Sequence, residues 1–430
     1  MGNLNLTTVN KIPNNPKKGS TFVIQCNGIT NYTHSIFKYP CKFIPQIPEW
    51  FINKYKSNKT EQYGLIDPFM GSGTALVEAS VAKIPSYGID VDPLGILLSK
   101  VKTTTLTNKE LRIIKTFYNN FNKNFNKTNK KQIENYIPSL SNLDHWFSKK
   151  AILDLATIKF LIYQNYKINK NKKIKNFLLI TFASIIRKVS FADEQSPKPY
   201  VSTKIKKIPS DVKQAFLYHL CKNIKSITKY SKKVKNTNVK IIGWDARKIN
   251  NKEILAKKIH LAITSPPYIN AFDYVRSLKL ENYWIDSFDE KNLSIYYKKQ
   301  IGTEKISSKQ YKSSLPKFGI KVLDDSLKKI YKVDQKRAHV INDFFISMSK
   351  NLKEIYKILL KDGYYCIVIG DSKIRNIEIS SSKILKFIAK DIGFKLENEF
   401  SYIIRNRYLR IPRKGKGGLV TTDNIIIFKK

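Results

Sequence analysis

Acidic residues are scarce in this chain: 33 Asp and Glu stand against 78 Lys and Arg in 430 residues, a formal net charge of +45. A/T-rich codons favour Lys, Asn, Ile and Tyr, but they also favour Glu, so base composition does not explain the imbalance. A polyanionic partner does, and nucleic acid is the first candidate, because neutralising phosphates supplies sequence-independent affinity. Cysteine is equally sparse. Cys26, Cys41, Cys221 and Cys366 are scattered without CxxC spacing, which argues against a zinc site or a disulfide framework and fits a reducing prokaryotic cytoplasm or nucleoid. No stretch approaches ~18 uninterrupted apolar residues, so no membrane span is expected. The opening MGNLNLTTVNKIPNNPKKGS has no apolar core of the kind a secretory leader needs. What remains is ample for a fold: 42% hydrophobic residues, including 23 Phe and 24 Tyr, in a chain long enough for a large domain with an insertion, or for two domains.

The segment YGLIDPFMGSGTALVEASVAK (63–83) reads as strand, glycine-rich turn and helix. IPSYGIDVDPLGILLSKVKT (84–103) reads as a second strand ending at an acidic pair, then another helix. This is a βαβα run of the doubly wound class. VKIIGWDARKI (239–249) is a third strand ending in Asp245, and LAITSPPY (261–268) a fourth. Later come a strand at 359–372 entered through Gly363, a helix at 381–394 with a glycine stop, and a closing strand at 424–430. Between the second and third strands lies a stretch far longer than a usual connection. Its helical patterns predict an insertion, giving three parts: 1–105, 106–235 and 236–430, with a second insertion-like stretch at about 286–340.

Four consecutive strands end in groups suited to a ligand. Gly71 and Gly73 let backbone approach closely, and the following helix offers free N–H groups. Asp90, 17 residues after Gly73, stands where a carboxylate can hold a pair of ribose hydroxyls. Asp245 places another acceptor on the same sheet edge. Ser265-Pro266-Pro267-Tyr268 ends the fourth strand with a rigid turn, since proline cannot donate to a ladder. Asp92, next to Pro93, fits a helix N-terminal acid better than a ligand group.

DPFMGSGT (67–74) together with TSPPY (264–268) resembles the S-adenosylmethionine-dependent DNA amino-methyltransferases, which modify cytosine N4 or adenine N6. THSIFKYPCKFIPQIPEWFI (33–52) resembles the cofactor-flanking motif of that family. The resemblance covers 1–105 and 236–285, more loosely 355–430, and leaves out the insertion. It implies a Rossmann-like class I methyltransferase sheet. It also implies that Asp67, Phe69, Gly71, Ser72, Gly73 and Thr74 surround the methionine end of S-adenosylmethionine. Asp90 would bind the ribose, Asp245 the adenine amino group, and Lys42, Phe43 and Pro45 would lie beside the cofactor. Ser265, Pro266, Pro267 and Tyr268 would be catalytic. Family members with Ser before Pro-Pro-Tyr lean to cytosine N4 and those with Asp or Asn to adenine N6, with exceptions, so both products stay open and cytosine is favoured. The guanine-N2 transfer RNA enzymes are similar in the glycine turn but carry Asp-Pro-Pro-Tyr. The C5-cytosine enzymes use a Pro-Cys nucleophile on this strand, and the only Pro-Cys here is Pro40-Cys41.

The implied partner is double-stranded DNA with its target base swung out; the setting is restriction-modification, with a cognate endonuclease as a candidate partner, or host DNA marking. Arg276 and Lys279 after the catalytic turn, and Arg405 and Arg407 in IIRNRYLRIPRKGKGG (403–418), are the candidate phosphate contacts. FADEQSPKPYVSTKIKK (191–207) mixes polar, aromatic and basic residues and is either a base-reading loop or a solvated connection. Trp146, Trp244 and Trp284 are expected in the core.

Overall fold

Apolar side chains alternate across the central strands so that both faces of the sheet are covered. The computed structural model describes residues 7–25, 31–40, 44–57, 63–194, 196, 198–254, 258–269, 273–289, 291–403 and 421–430. Its strands are β1 (Thr7–Val9), β2 (Thr21–Ile24), β3 (Gly64–Asp67), β4 (Ser86–Ile89), β5 (Val239–Gly243) and β6 (Ile259–Thr264). They continue with β7 (Leu359–Gly370), β8 (Ser372–Ile374), β9 (Ile377–Ile379), β10 (Lys395–Ile403) and β11 (Thr422–Lys429). Nine of them form one sheet in the order β1-β2-β10-β11-β7-β6-β3-β4-β5, and β8 pairs only with β9. Every neighbour pair in the large sheet is parallel except those of β11, which runs antiparallel to both β7 and β10.

The chain lays down β3, then β4 and β5 outward on one side. It returns to place β6 on the other side of β3 and continues outward to β7. The reversal falls between β3 and β6, and a crevice at such a switch point is where doubly wound sheets bind ligands. This is the doubly wound, Rossmann-like α/β arrangement with a helical insertion that the sequence predicts.

On one face, Leu261, Val368 and Ile425 pack under α1 (Gln46–Tyr55) and α2 (Thr74–Val81) through Phe51 and Leu76. On the other, Ala262, Ile367 and Ile426 meet the Gln335–Ile358 and Ser381–Ile392 helices. Strands covered on both faces explain the near-continuous apolar runs of the sequence. The Ser381–Ile392 helix stops at Gly393, which takes φ +113°. Strand β7 begins at Leu359, four residues before the expected entry at Gly363.

Between β4 and β5, α3 (Pro93–Lys102) is followed by long helices at Asn108–Lys127, Lys149–Asn169, Lys172–Ile186 and Val212–Lys233. Their apolar faces form one cluster with Leu94 and Leu98 of α3 and with Trp284 of the Lys279–Trp284 helix. The insertion therefore packs directly behind the segment that follows the Ser-Pro-Pro turn. Lys159, 2% exposed, reaches Asp286 at 2.6 Å and ties the insertion to that segment's end. Among the described residues no helix is long and apolar enough to cross a membrane.

Candidate active site

The turn after β3 is built by two left-handed glycines, Gly71 at φ +47° and Gly73 at φ +71°. A Cβ on Gly73 would stand 2.7 Å from Ser99 Oγ and 3.1 Å from Ser99 Cα, so both conformation and space demand glycine there. α2 starts at Thr74 with no side-chain cap, which leaves its first N–H groups for something else. The Gly71 N–H donates to Asp90 Oδ2 at 2.7 Å, and the Asp92 N–H to Asp90 Oδ1 at 2.8 Å. Asp92 itself caps α3, accepting from the Leu94 and Gly95 N–H groups, and also takes hydrogen bonds from Tyr39 Oη and Asn282 Nδ2, both at 3.0 Å. The structural role expected for Asp92 is the one observed.

Asp67 closes β3 and is fully buried. Its Oδ1 accepts from Thr264 Oγ1 at 2.7 Å and from the Phe69 N–H at 3.1 Å, which bridges the ends of β3 and β6. Among the described residues its Oδ2 has no hydrogen-bond partner. Burial pushes the Asp67 carboxyl up to about 7, against the pull of those two donors. Burial, then the neighbouring Asp92, raises Asp90 to about 7 as well. A pair of carboxyls held this far above their ordinary range marks a place where the fold carries electrostatic strain, a frequent property of ligand sites.

A cleft open to solvent lies over this edge. Phe69, Gly71, Ser72, Thr74, Asp90, Asp245, Ser265 and Pro267 all line it. The structure thus brings together on one cleft eight of the residues singled out in the sequence. Asp67, Gly73, Pro266 and Tyr268 are chain neighbours of lining residues. Asp245 already holds Arg247 through two bonds, 2.8 and 2.9 Å. Burial alone would raise its pKa, but the Arg247 contacts hold it below the ordinary range.

Other expectations are placed differently. Pro45 stands before α1 and lines a separate polar cavity with His34 and Glu78 rather than the cleft, because the chain turns there into the helix. Lys42, Phe43, Arg405 and Arg407 lie outside the described residues. Arg276 is exposed at the end of the short Tyr274–Ser277 helix, and Lys279 lies 5.6 Å from the centre of the Tyr283 ring. Trp284 is buried and Trp146 half-buried. Trp244 is corrected: it is 57% exposed and lines the cleft, because it follows the end of β5, the last strand in the sheet order among the described residues. Lys299 sits 4.1 Å above its ring.

The sequence reading also missed Tyr39 and Tyr274, which stack at 6.2 Å across the cleft wall. Tyr39 belongs to the upstream motif, and its position three residues before the expected Lys42 was the available signal. Trp244 had one too, since it directly precedes Asp245.

No family model matches the chain. The Type II methyltransferase M.MvaI of Kocuria varians is 25% identical over 432 residues, covering 93% of this chain and 91% of its own length. The Type II methyltransferase M.MjaII of Methanocaldococcus jannaschii is 28% identical over 411 residues, 76% of this chain and 74% of its own. M.AvaI of Nostoc sp., also a Type II methyltransferase, is 22% identical over 397 residues, 84% of this chain and 79% of its own. Among solved structures, the rRNA methyltransferase aviRa of Streptomyces viridochromogenes aligns over 93% of this chain and 90% of its own at 8% identity, with a TM-score of 0.32.

Proposed function

We propose that this chain transfers a methyl group from S-adenosylmethionine to the exocyclic amine of a base in double-stranded DNA, cytosine N4 in preference to adenine N6. The observation that carries the reading is the convergence of Gly71, Asp90, Asp245 and Ser265 on one cleft at the switch point of the sheet. Similarity along most of the chain to Type II methyltransferases supports it.

The residues present fit the cofactor. Asp67 Oδ2 is a buried acceptor lacking a donor among the described residues, the need an α-ammonium meets. Asp90 at the end of β4 suits the ribose hydroxyls. Asp245, with lone pairs beyond those given to Arg247, suits an adenine amino group beside Trp244. When bound, S-adenosylmethionine supplies an electrophilic methyl on a positively charged sulfur.

The protein's own task is to prepare the amine. The lone pair of a nucleobase amine is delocalised into the ring, so it attacks poorly. The Ser265 hydroxyl and the Pro266 carbonyl accept its two hydrogens and favour a pyramidal nitrogen, while the two prolines hold the acceptors in place. Tyr268 presents an aromatic face to a base swung out of the duplex. No covalent intermediate is needed. Both amines use the same geometry, and Ser265 in the first position of the turn is what favours cytosine.

The test is mass spectrometry of nucleosides from DNA of cells expressing the protein, with an inactive Ser265→Ala variant as control. N4-methylcytosine is expected. N6-methyladenine in its place would overturn the product assignment alone, and unmodified DNA would overturn the reading.

DNA contact falls to the basic segments outside the minimal sheet, 106–235 and 286–340, together with Arg276, Lys279, Arg405 and Arg407. A cognate restriction endonuclease completes the proposed setting. Within the insertion, exposed Tyr200, Ile205 and Ile208 alternate with Lys198, Lys204 and Lys206. Arg187 fastens this stretch to the segment after the catalytic turn, donating to the Ser196 carbonyl at 2.7 Å and to the Ser277 carbonyl at 2.6 Å. If Lys204 and Lys206 each neutralise a phosphate, the double substitution Lys204→Gln, Lys206→Gln lowers the slope of log affinity against log salt by roughly 2. Fluorescence anisotropy with a labelled duplex over a salt series measures it, and an unchanged slope removes this stretch from the interface.

A further inference from the structure

β11 is antiparallel to its neighbours, so its first residues, not its last, arrive at the sheet edge where the parallel strands end. Asp423 is the second residue of that strand and stands in register with Tyr402 of β10 and with Gly370, the last residue of β7. It is 5% exposed, and each of its carboxylate oxygens has one short partner. Tyr268 Oη donates to Oδ1 at 2.6 Å and Tyr402 Oη to Oδ2 at 2.6 Å. Among the described residues these two phenols are its side-chain hydrogen-bond partners.

The direction of these bonds has a consequence for the catalytic turn. A phenol has one hydrogen to give, and Tyr268 gives it to Asp423. Toward every other group, the Tyr268 oxygen can only accept. Tyr268 is the last residue of the Ser265-Pro266-Pro267-Tyr268 turn, so this bond ties the turn to the head of β11.

We propose that Asp423 is a positioning residue for the catalytic turn: by taking the Tyr268 hydrogen it fixes the ring at the end of the turn, and with it the Ser265 and Pro266 acceptors that the substrate amine needs. The inference rests on the proposed amine methylation. It supplies a support that the two prolines do not give, because they stiffen the backbone of the turn without tying Tyr268 to the sheet.

The test is methyl incorporation from labelled S-adenosylmethionine into unmethylated phage DNA, with kcat and both KM values determined. Asp423→Asn keeps the shape but offers an N–H₂ to one tyrosine, and kcat is expected to fall by about tenfold or more, the cost of a slightly misdirected reacting group. KM for S-adenosylmethionine stays within about twofold of the parent. Tyr268→Phe, which removes one oxygen, is expected to lower kcat to a similar degree. Adding Asp423→Asn to it should then change kcat little, because the tie between Tyr268 and Asp423 is already cut. Independent, multiplying losses in the double variant, or an Asp423→Asn enzyme with parental kcat, would overturn the inference. If Asp423→Asn does not fold, Tyr268→Phe decides alone, since parental kcat without the hydroxyl leaves Asp423 nothing to act through. A parent protein that labels no DNA overturns the proposed function and this inference together.

Discussion

Ser265→Ala is expected to lower methyl transfer by on the order of 10²- to 10³-fold, the cost of removing one oriented hydrogen-bonding group from a reacting centre, while S-adenosylmethionine binds as before. Ser265 is half-buried at the cleft, directly after Thr264, whose hydroxyl bonds to Asp67. The substitution removes only the Oγ and leaves the Pro266-Pro267 backbone intact, so the fold is undisturbed. Because the acceptor acts on the amine as it pyramidalises, the loss falls on kcat rather than on KM for DNA. Single-turnover kinetics with labelled cofactor separate the chemical step from product release. A Ser265→Ala enzyme within about threefold of the parent would show that the reacting centre lies elsewhere in the cleft.

Much of the site was legible because it is local. Gly71 and Gly73 stand out in sequence since a left-handed turn between strand and helix leaves few alternatives, and Asp90, Asp245 and Ser265 each follow directly on an apolar strand. The sheet's parallel middle followed from the same runs. What was hidden depends on which strands become neighbours. Asp423 opens the last strand, and only the antiparallel insertion of β11 between β7 and β10 carries it to Tyr268. Tyr39 reaches Asp92 across 53 residues, and Trp244 is exposed because it follows the end of β5, the last strand in the sheet order among the described residues. The Gln335–Ile358 helix was obscured by the polar, lysine-rich stretch that leads into it, and β1 and β2 are too short to carry a period. The insertion's helices were visible. Their shared core with α3 was not, since nothing in the sequence says which apolar faces meet.

With S-adenosylmethionine bound as proposed, the same geometry makes its binding depend on pH. The Asp67 carboxyl is raised to about 7 by burial, with Oδ2 unpartnered among the described residues. In the free protein the folded state therefore holds this proton more tightly than the unfolded chain. Its contribution to stability is greatest below the ordinary carboxyl pKa and is lost as pH rises from about 4 through 7, at a cost on the order of 4 kcal/mol for a fully buried group. An ammonium donating to Oδ2 reverses the preference, because the ionised carboxylate is then the form that is held. Binding expels the proton below pH 7, and affinity is expected to fall by up to about tenfold for each pH unit below that point. S-adenosylmethionine should accordingly raise the melting temperature more at pH 8 than at pH 6. Asp67→Asn is expected to melt higher than the parent at pH 8 without cofactor, since the buried charge is gone, and to bind S-adenosylmethionine weakly with a flatter pH dependence. Asp90, also raised to about 7, retains its own smaller step in that variant. Scanning calorimetry with and without cofactor at the two pH values measures all of this. An equal cofactor-induced shift at pH 6 and pH 8 in the parent protein would remove Asp67 from contact with the ammonium and leave its buried carboxylate as a brace between β3 and β6.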